Sequence, residues 1–500
     1  MKKYFVFLVV LLFSLSTFAE NFLIYSGDAI LGQEEVIFSD NKVITKTKLN
    51  VLGQKLSFEQ TLTFKNNRPE SYYSNLNNQV NISGNITKDS AIYTVANQSR
   101  TFRGKGLYPL ENNTFYLWSY VFLDAPEQIV VPSQLLALKV NYSKWVNGPF
   151  GTQIRQINIG QLGVIGYFFE NKFIRLSIPL QNIDYIHEDW LSVFRDEQTD
   201  QVKTEAITLK RGNDLLAGEL NLPDNKESFP VILLLSGSGP QDRDNNSPPE
   251  MTNSIFKHLS TKLTSSGYGV LRFDDRGIGK SSGDHMKQDF ETLVEDAALA
   301  VELLQKRPDV SQIGILGHSE GGIIALKLAA DNDIIDFCIL LATPSTSLDQ
   351  ILKEQLKAQM DLEYLSSQEK KYLEELLVLV ENSLDLAKKG ADFTPLGFTG
   401  AYLRQHMQTD PLKYAELVTC PLLILQGEAD IKVLPHHAYS LKSAATKSSS
   451  VEVITYPYLT HYFTPSPLDN PAFDLNQAFK TPDKIYDDIV SWLIALETRE

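Results

Sequence analysis

The sequence predicts an α/β protein: a mostly parallel sheet with a helical cap insertion, preceded by an all-β antiparallel N-terminal domain. Three observations carry this expectation. Short runs of period-2 alternation fill residues 22–195. Beyond residue 203, solid apolar runs alternate with amphipathic helical stretches, the pattern of a parallel sheet covered on both faces. A stretch at about 346–415 carries helical patterns and no strand-like run, so it reads as an insertion between two strands. At 500 residues the chain is also too long for a single core.

In the first half, Leu56, Phe58, Leu62 and Phe64 share one parity, and Ser57, Glu59, Thr61 and Thr63 the other. That alternation buries one face of a strand. Gly53 separates this run from the preceding one and marks a hairpin turn. Similar runs at Ala91–Val95 and Phe173–Ile178 are spaced by Asn, Gly and Ser, predicting an antiparallel sheet or open barrel. The aromatic cluster Phe115, Tyr116, Trp118, Tyr120 and Phe122 is read first as core or inter-domain contact, with a ligand groove as the alternative.

The N-terminus has the three-part layout of a secretory leader. Lys2 and Lys3 precede an apolar run from Phe5 to Leu15, followed by Ser16-Thr17-Phe18-Ala19 with small residues at 17 and 19. Cleavage is expected after Ala19, which assigns 1–19 to a signal peptide, 20–198 to the β-rich domain and 203–500 to the α/β domain. Export to the periplasm or the extracellular space follows, with no stable membrane span after cleavage. The polar segment Asp196–Asp200 is the expected boundary. Cys338 and Cys420 head neighbouring apolar runs and are read first as free buried thiols, with a disulfide between them as the alternative in an exported protein.

In the second half, strands are expected at Val231–Leu235, Tyr268–Phe273, Ile313–Leu316, Phe337–Leu341, Leu422–Leu425 and Val451–Tyr456. Helices are expected at Phe290–Leu304, at Gly321–Ala330 and from Thr481-Pro482 onward. Within the insertion, Ser366-Ser367-Gln368-Glu369 forms a capping box. An insertion of this size is expected to cap the sheet's C-terminal edge, where open parallel sheets bind ligands.

The chemistry centres on Gly317-His318-Ser319-Glu320-Gly321, between a strand and a helix. A serine on such a sharp turn is exposed for attack, and small neighbours let the turn close. A hydroxyl needs a base, and the expected chain order is Ser, acid, His. His461 alone among the downstream histidines follows the last strand; His406 lies in the insertion, and His436 and His437 read as surface or capping residues. Asp430 sits at a strand's C-terminal end and is the expected acid, with Glu428 as runner-up. The oxyanion needs two fixed donors. One is the Glu320 N–H; the other is the N–H of Ser238 or Gly237 in Ser236-Gly237-Ser238-Gly239-Pro240.

Other chemistries fit poorly. The net charge of −15 and a pI near 5.1 argue against nucleic acid, which needs a basic face. In Arg276-Gly277-Ile278-Gly279-Lys280-Ser281 the leading glycine of a phosphate loop is replaced by Asp274. Asp242, Arg243, Asp244, Asp274, Asp275 and Arg276 are read as an ion-pair network rather than a metal site, because no histidine joins them at ligand spacing. No metal and no organic cofactor is expected.

Three segments resemble the α/β-hydrolase fold family in combination: Ser236-Gly237-Ser238-Gly239-Pro240-Gln241-Asp242-Arg243-Asp244, Arg272–Ser281, and Gly317-His318-Ser319-Glu320-Gly321-Gly322. The resemblance covers about 203–500 and is to the bacterial carboxylesterase branch near the serine-aminopeptidase-like hydrolases. It implies a triad of Ser319, Asp430 and His461, an inserted helical cap, and cofactor-free hydrolysis of small carboxylic esters. A serine exopeptidase is the alternative within the same chemistry, with Glu320 or the cap holding the free amine. A ligand-binding protein with a vestigial hydrolase domain is the alternative of another class.

Overall fold

The computed structural model describes residues 18–498, except 28, 52, 78–79, 112–114, 161, 196–201, 225, 248–250, 252, 363–366 and 466–478. The leader pattern through Thr17 and the segment Asp196–Asp200 lie outside the described residues, as does Ser366 of the capping box. Two compact units are present, one up to Arg195 and one from Asp196.

The first unit is built on a fourteen-stranded antiparallel sheet. Its strand Phe18–Ser26 lies mid-sheet, between Ala29–Ser39 on one side and Ile183–His187 on the other. From Ala29–Ser39 a meander runs outward to Gln98–Arg103; Thr152–Ile159, Leu162–Phe169 and Lys172–Ile178 complete the other wing. Alternation works as it should in Gln54–Lys65, where Phe58, Gln60 and Leu62 are buried and Ser57 and Glu59 exposed. A register shift at Thr63/Phe64 ends that parity, so Phe64 is only half-buried. The aromatic cluster folds into a helix, Trp118–Asp124, whose Trp118, Val121 and Phe122 pack with Phe22, Tyr93 and Phe173 in one core. The core reading therefore holds for these rings, and the groove alternative does not.

The second unit is an eight-stranded sheet whose elements are numbered within it. The strands are β1 (Lys203–Arg211), β2 (Asp214–Leu222), β3 (Phe229–Leu235), β4 (Gly269–Phe273), β5 (Val310–His318), β6 (Phe337–Leu341), β7 (Leu422–Gly427) and β8 (Val451–Tyr456). Their order is β1-β2-β4-β3-β5-β6-β7-β8. All neighbours from β4 to β8 are parallel, and β2 runs antiparallel to both β1 and β4. Helices α1 (Ile255–Ser265), α2 (Phe290–Gln305) and α3 (Glu320–Asp331) connect the first strands. The insertion between β6 and β7 holds α4 (Leu348–Met360), α5 (Ser367–Lys388), α6 (Gly400–Gln408) and α7 (Pro411–Leu417). Then come α8 (His436–Ala444) and α9 (Asp483–Glu497).

Burial explains the sequence pattern. Every residue of β3, β6 and β7 is buried, because helices cover both faces. One face packs on α2 and α3, the other on α1 and α9. Helix α9 turns Ile485, Ile489, Trp492 and Leu493 inward. The insertion has a core of its own, with Leu356, Leu373, Val380, Leu384, Tyr402 and Leu403. Cys338 and Cys420 are free thiols. Burial pushes Cys338 well up and Cys420 up to about 12, so both are held as inert thiols.

Candidate active site

Ser319 occupies the turn between β5 and α3 with φ 53° and ψ −118°. A non-glycine residue pays roughly 1–3 kcal/mol for such a backbone, and the surroundings must enforce it. They do so by close packing. A Cβ on Gly317 would lie 2.1 Å from the Gly321 carbonyl oxygen, and one on Gly321 would lie 2.3 Å from that of Leu235. The Ser319 N–H donates to the Leu341 carbonyl at 2.8 Å, tying the turn to β6. Ser319 itself remains partly exposed, while His318 and Glu320 are buried.

Asp430 and His461 meet as sequence order requires. His461 Nδ1 lies 2.8 Å from Asp430 Oδ2, with both side chains buried. Asp430 Oδ1 accepts the N–H groups of Lys432 and Val433, each at 2.8 Å, and Oδ2 also accepts from Gln426 Nε2 at 3.1 Å. These donors aim the carboxylate at His461 Nδ1, the geometry of an imidazole oriented by an acid. Glu428, the runner-up acid, is exposed and accepts from Thr455 Oγ1.

His318 links the two halves of the site. Its Nε2–H donates to the His461 carbonyl oxygen at 2.9 Å, and its Nδ1 lies 3.3 Å from Asn245 Nδ2. Burial, with the neighbouring His461, pushes its pKa down to about 3, so the ring is a fixed neutral strut. The residue before Ser319 thus holds the loop that carries His461.

The glycine-rich loop after β3 packs against the turn. A Cβ on Gly237 would stand 3.3 Å from Ser319 Cβ, so that backbone lies against the nucleophile. The Gly237 N–H donates to Gln241 Oε1 at 3.2 Å, while Gln241 Nε2 donates to the Ser238 carbonyl at 2.9 Å. Gln241 therefore braces the 236–237 and 238–239 peptides on either side of the Ser238 N–H, and of the two expected donors the Gly237 N–H is the one already bonded. Asp275 supports the brace by accepting from the Gln241 N–H at 2.9 Å and from Ser236 Oγ at 3.2 Å. Burial raises Asp275 to about 8 despite these donors, and the nearby carboxylates of Glu320 and Asp296 add to the rise.

The charged loops pair off around this centre. Arg243 Nε and Nη2 donate to Asp274 at 2.9 and 2.7 Å, and Asp274 also accepts the Lys280 N–H at 2.9 Å. Burial opposes the charge on Asp274, but these donors hold its carboxyl below the usual range. The aspartate that broke the phosphate-loop pattern is thus the anchor of its turn. Arg272 pairs with Asp244, and Arg276 with Asp214 and Asp296. Asp275 stands apart from these pairs, bound by the neutral donors above.

Sequence reasoning missed two histidines. His437 is fully buried rather than a surface residue: its Nδ1 accepts the Ser345 N–H at 3.1 Å and its Nε2 faces Glu354 at 2.6 Å. Glu354, His436 and His437 bring three possible metal-ligand atoms within 4.8 Å. A cation on His437 Nε2 would need the proton moved to Nδ1, where the Ser345 N–H already points. The donor set fits a hydrogen-bonded tie between α4 and α8 better than a metal. His406 of the insertion is also buried and contacts Glu320. The only sign of it in the sequence is the Tyr402/His406 spacing, one helical turn apart on a buried stripe.

The family model of serine aminopeptidase, S33, matches residues 251–385, a span that includes the serine turn and stops before Asp430 and His461. Esterase EstD of Thermotoga maritima is 26% identical over 279 residues, 56% of this chain and 65% of its own length. The Bacillus subtilis protein YtaP is 34% identical over 98 residues, 17% of this chain and 33% of its own. The chain thus spans less than two thirds of either relative. Among solved structures, Est1E from Butyrivibrio proteoclasticus aligns over 58% of this chain and 98% of its own, at 17% identity and a TM-score of 0.40. With its strand order, the strained serine between β5 and α3 and the helical insertion after β6, the second unit has a fold of the α/β-hydrolase type, and it is similar in sequence to the serine aminopeptidase model over residues 251–385 and to an esterase over 279 residues.

Proposed function

We propose that the protein hydrolyses small carboxylic esters through an acyl-enzyme on Ser319. The reading rests on the buried Asp430–His461 pair at 2.8 Å, whose loop is held by the residue preceding the serine. Ser319 Oγ attacks the ester carbonyl carbon as His461 Nε2 takes the hydroxyl proton. The N–H of Glu320, at the first position of α3, and that of Ser238 receive the oxyanion. Collapse expels the alcohol, protonated by His461. A water activated by the same imidazole then attacks the acyl-enzyme, releasing the acid and Ser319. Asp430 keeps the proton on Nδ1 and stabilises the imidazolium at each step. The reaction consumes only ester and water.

The test is hydrolysis of p-nitrophenyl acyl esters together with labelling by a fluorophosphonate probe. Wild type is expected to turn over and to be labelled at Ser319, and Ser319→Ala to lose about 10⁴-fold or more in kcat. Equal rates for the two would overturn the assignment. An unlabelled, inert wild type would favour the ligand-binding alternative.

The family description leaves an exopeptidase reading open, but the Glu320 carboxylate that would hold an amine already accepts from Tyr402 Oη at 2.6 Å. Aminoacyl anilides are expected to be poor substrates beside the esters; faster anilide turnover would reverse that order. The leader pattern at residues 1–19 supports export, with a mature N-terminus at Glu20 as the expected result of N-terminal sequencing of the secreted protein. A secreted protein that still began at Met1 would refute processing.

A further inference from the structure

The residue after the nucleophile is an acid, which is an awkward choice beside an oxyanion hole. A negative charge at the first turn of α3 suits the helix N-terminus, but it opposes an oxyanion forming at the same N–H groups. The Glu320 side chain is 7% exposed, so solvent does little to screen it.

The cap supplies the compensation. Tyr402 and His406, both on α6, converge on Glu320 Oε1: Tyr402 Oη donates at 2.6 Å, and His406 Nε2 makes a short contact with the same oxygen. His406 lies between rings, with Phe290 and Tyr402 centroids 4.4 and 4.6 Å away. Its Nδ1 is buried with no hydrogen-bond partner among the described residues, and the contact with Glu320 orients the ring through Nε2. Helix α6 is seated beside α2 by Gln405, which donates to Asp289 at 3.1 Å and accepts the Glu291 N–H at 2.9 Å. The second acid nearby, Asp275, borders the same cavity behind the turn, together with Ser236, Gly237, Gln288 and Glu320. Asp275 is held largely protonated at neutral pH by burial. Both acids behind the turn are therefore kept from presenting an uncompensated charge, Glu320 by donors that belong to the cap.

We propose that Tyr402 and His406 are positioning residues for the reaction at Ser319: they hold and offset the Glu320 carboxylate, so turnover depends on the seating of α6. The inference rests on the esterase reading above and adds a role for the cap beyond covering the site.

A double-mutant cycle on p-nitrophenyl acetate tests it. His406→Ala is expected to lower kcat about tenfold or more with KM little changed, since the lost effect is on the developing oxyanion. Tyr402→Phe, which removes one hydroxyl and keeps the ring, should lower kcat in the same way by a smaller factor. His406→Gln restores an N–H donor and should recover most of the rate. Adding Glu320→Gln to His406→Ala should also restore kcat, because the charge to be offset is gone. A purely structural histidine would show no such rescue. Wild-type kcat in both His406→Ala and Tyr402→Phe would overturn the proposal, as would a His406→Ala defect that Glu320→Gln leaves unrelieved. The Ser319→Ala control separates the two readings: if it is as active as wild type, the esterase assignment itself fails, whereas a dead Ser319→Ala with a flat cycle refutes only the role of the cap.

Discussion

Glu34, at the heart of the β sheet, and the acids around the serine turn are buried in different company. In the first unit, Glu34 is 1% exposed and meets three neutral donors: Thr47 Oγ1 at 2.6 Å, Tyr185 Oη at 3.0 Å and the Tyr116 N–H at 3.2 Å. Burial outweighs them and raises it to about 7. In the second, Asp274 and Asp296 meet arginines, and Asp430 meets a histidine and three N–H donors. Neutral donors leave burial free to raise Glu34, while the arginine and N–H donors on Asp274 hold its carboxyl below the usual range. Glu34 serves the β sheet as internal polar packing, whereas Asp274, Asp296 and Asp430 fix loops and orient an imidazole; Asp275, with its neutral donors, follows the Glu34 pattern inside the α/β unit.

The contrast can be broken experimentally, most visibly at Asp430. Asp430→Asn keeps the shape but no longer favours the Nδ1–H tautomer, and kcat on p-nitrophenyl esters should fall by about 10⁴. A change under about tenfold would remove Asp430 from the triad. Next is Arg276, whose Nε lies 2.7 Å from Asp296. Arg276→Leu leaves the buried Asp296 only the longer Arg211 contact at 3.4 Å among the ion pairs described and should cost about 3 kcal/mol by denaturant unfolding; a loss below about 1 kcal/mol would show the pair to be dispensable. Glu34 sharpens the other side. Its folded pKa, near 7, lies above the value of 4.5 taken for the free side chain. The folded state thus holds a proton that the unfolded state gives up, and stability falls as pH rises from 4.5 through 7. Above that window the cost is on the order of 3 kcal/mol. Glu34→Gln should match wild type at pH 5 and exceed it at pH 8.5, read by hydrogen exchange in Ala29–Ser39 and Lys42–Val51. Equal protection at both pH values would overturn the assignment. The smallest effect is expected at Glu428, exposed and bonded to Thr455. Glu428→Gln should stay within about twofold of wild-type kcat, against the four decades expected at Asp430.

What could be read from the chain follows the same division. Strands β3, β6 and β7 were legible because a strand buried on both faces is a solid apolar run, and the serine turn because glycine spacing reports close backbone approach. The helix Trp118–Asp124 was not, since seven residues buried on several sides show little periodicity. His437 reads as an ordinary surface residue until the fold brings Ser345 and Glu354 to it from elsewhere in the chain. Gln241 and the Tyr402–His406 pair escaped for the same reason: their partners are set by tertiary packing, and a polar side chain carries no mark of whom it will meet.

The mid-sheet place of Phe18–Ser26 bears on the order in which the molecule can assemble during synthesis. Its partners on one side emerge next, in Ala29–Ser39, but those on the other, Ile183–His187, emerge only at the end of the unit. One wing can zip up as it is made, while the strand that joins the wings keeps an open edge until the last hairpin arrives. A ribosome stalled shortly before Ile183 has emerged would therefore display a half-sheet with an unsatisfied edge. At that moment the nascent chain is most exposed to pairing with a neighbour, and most in need of a chaperone.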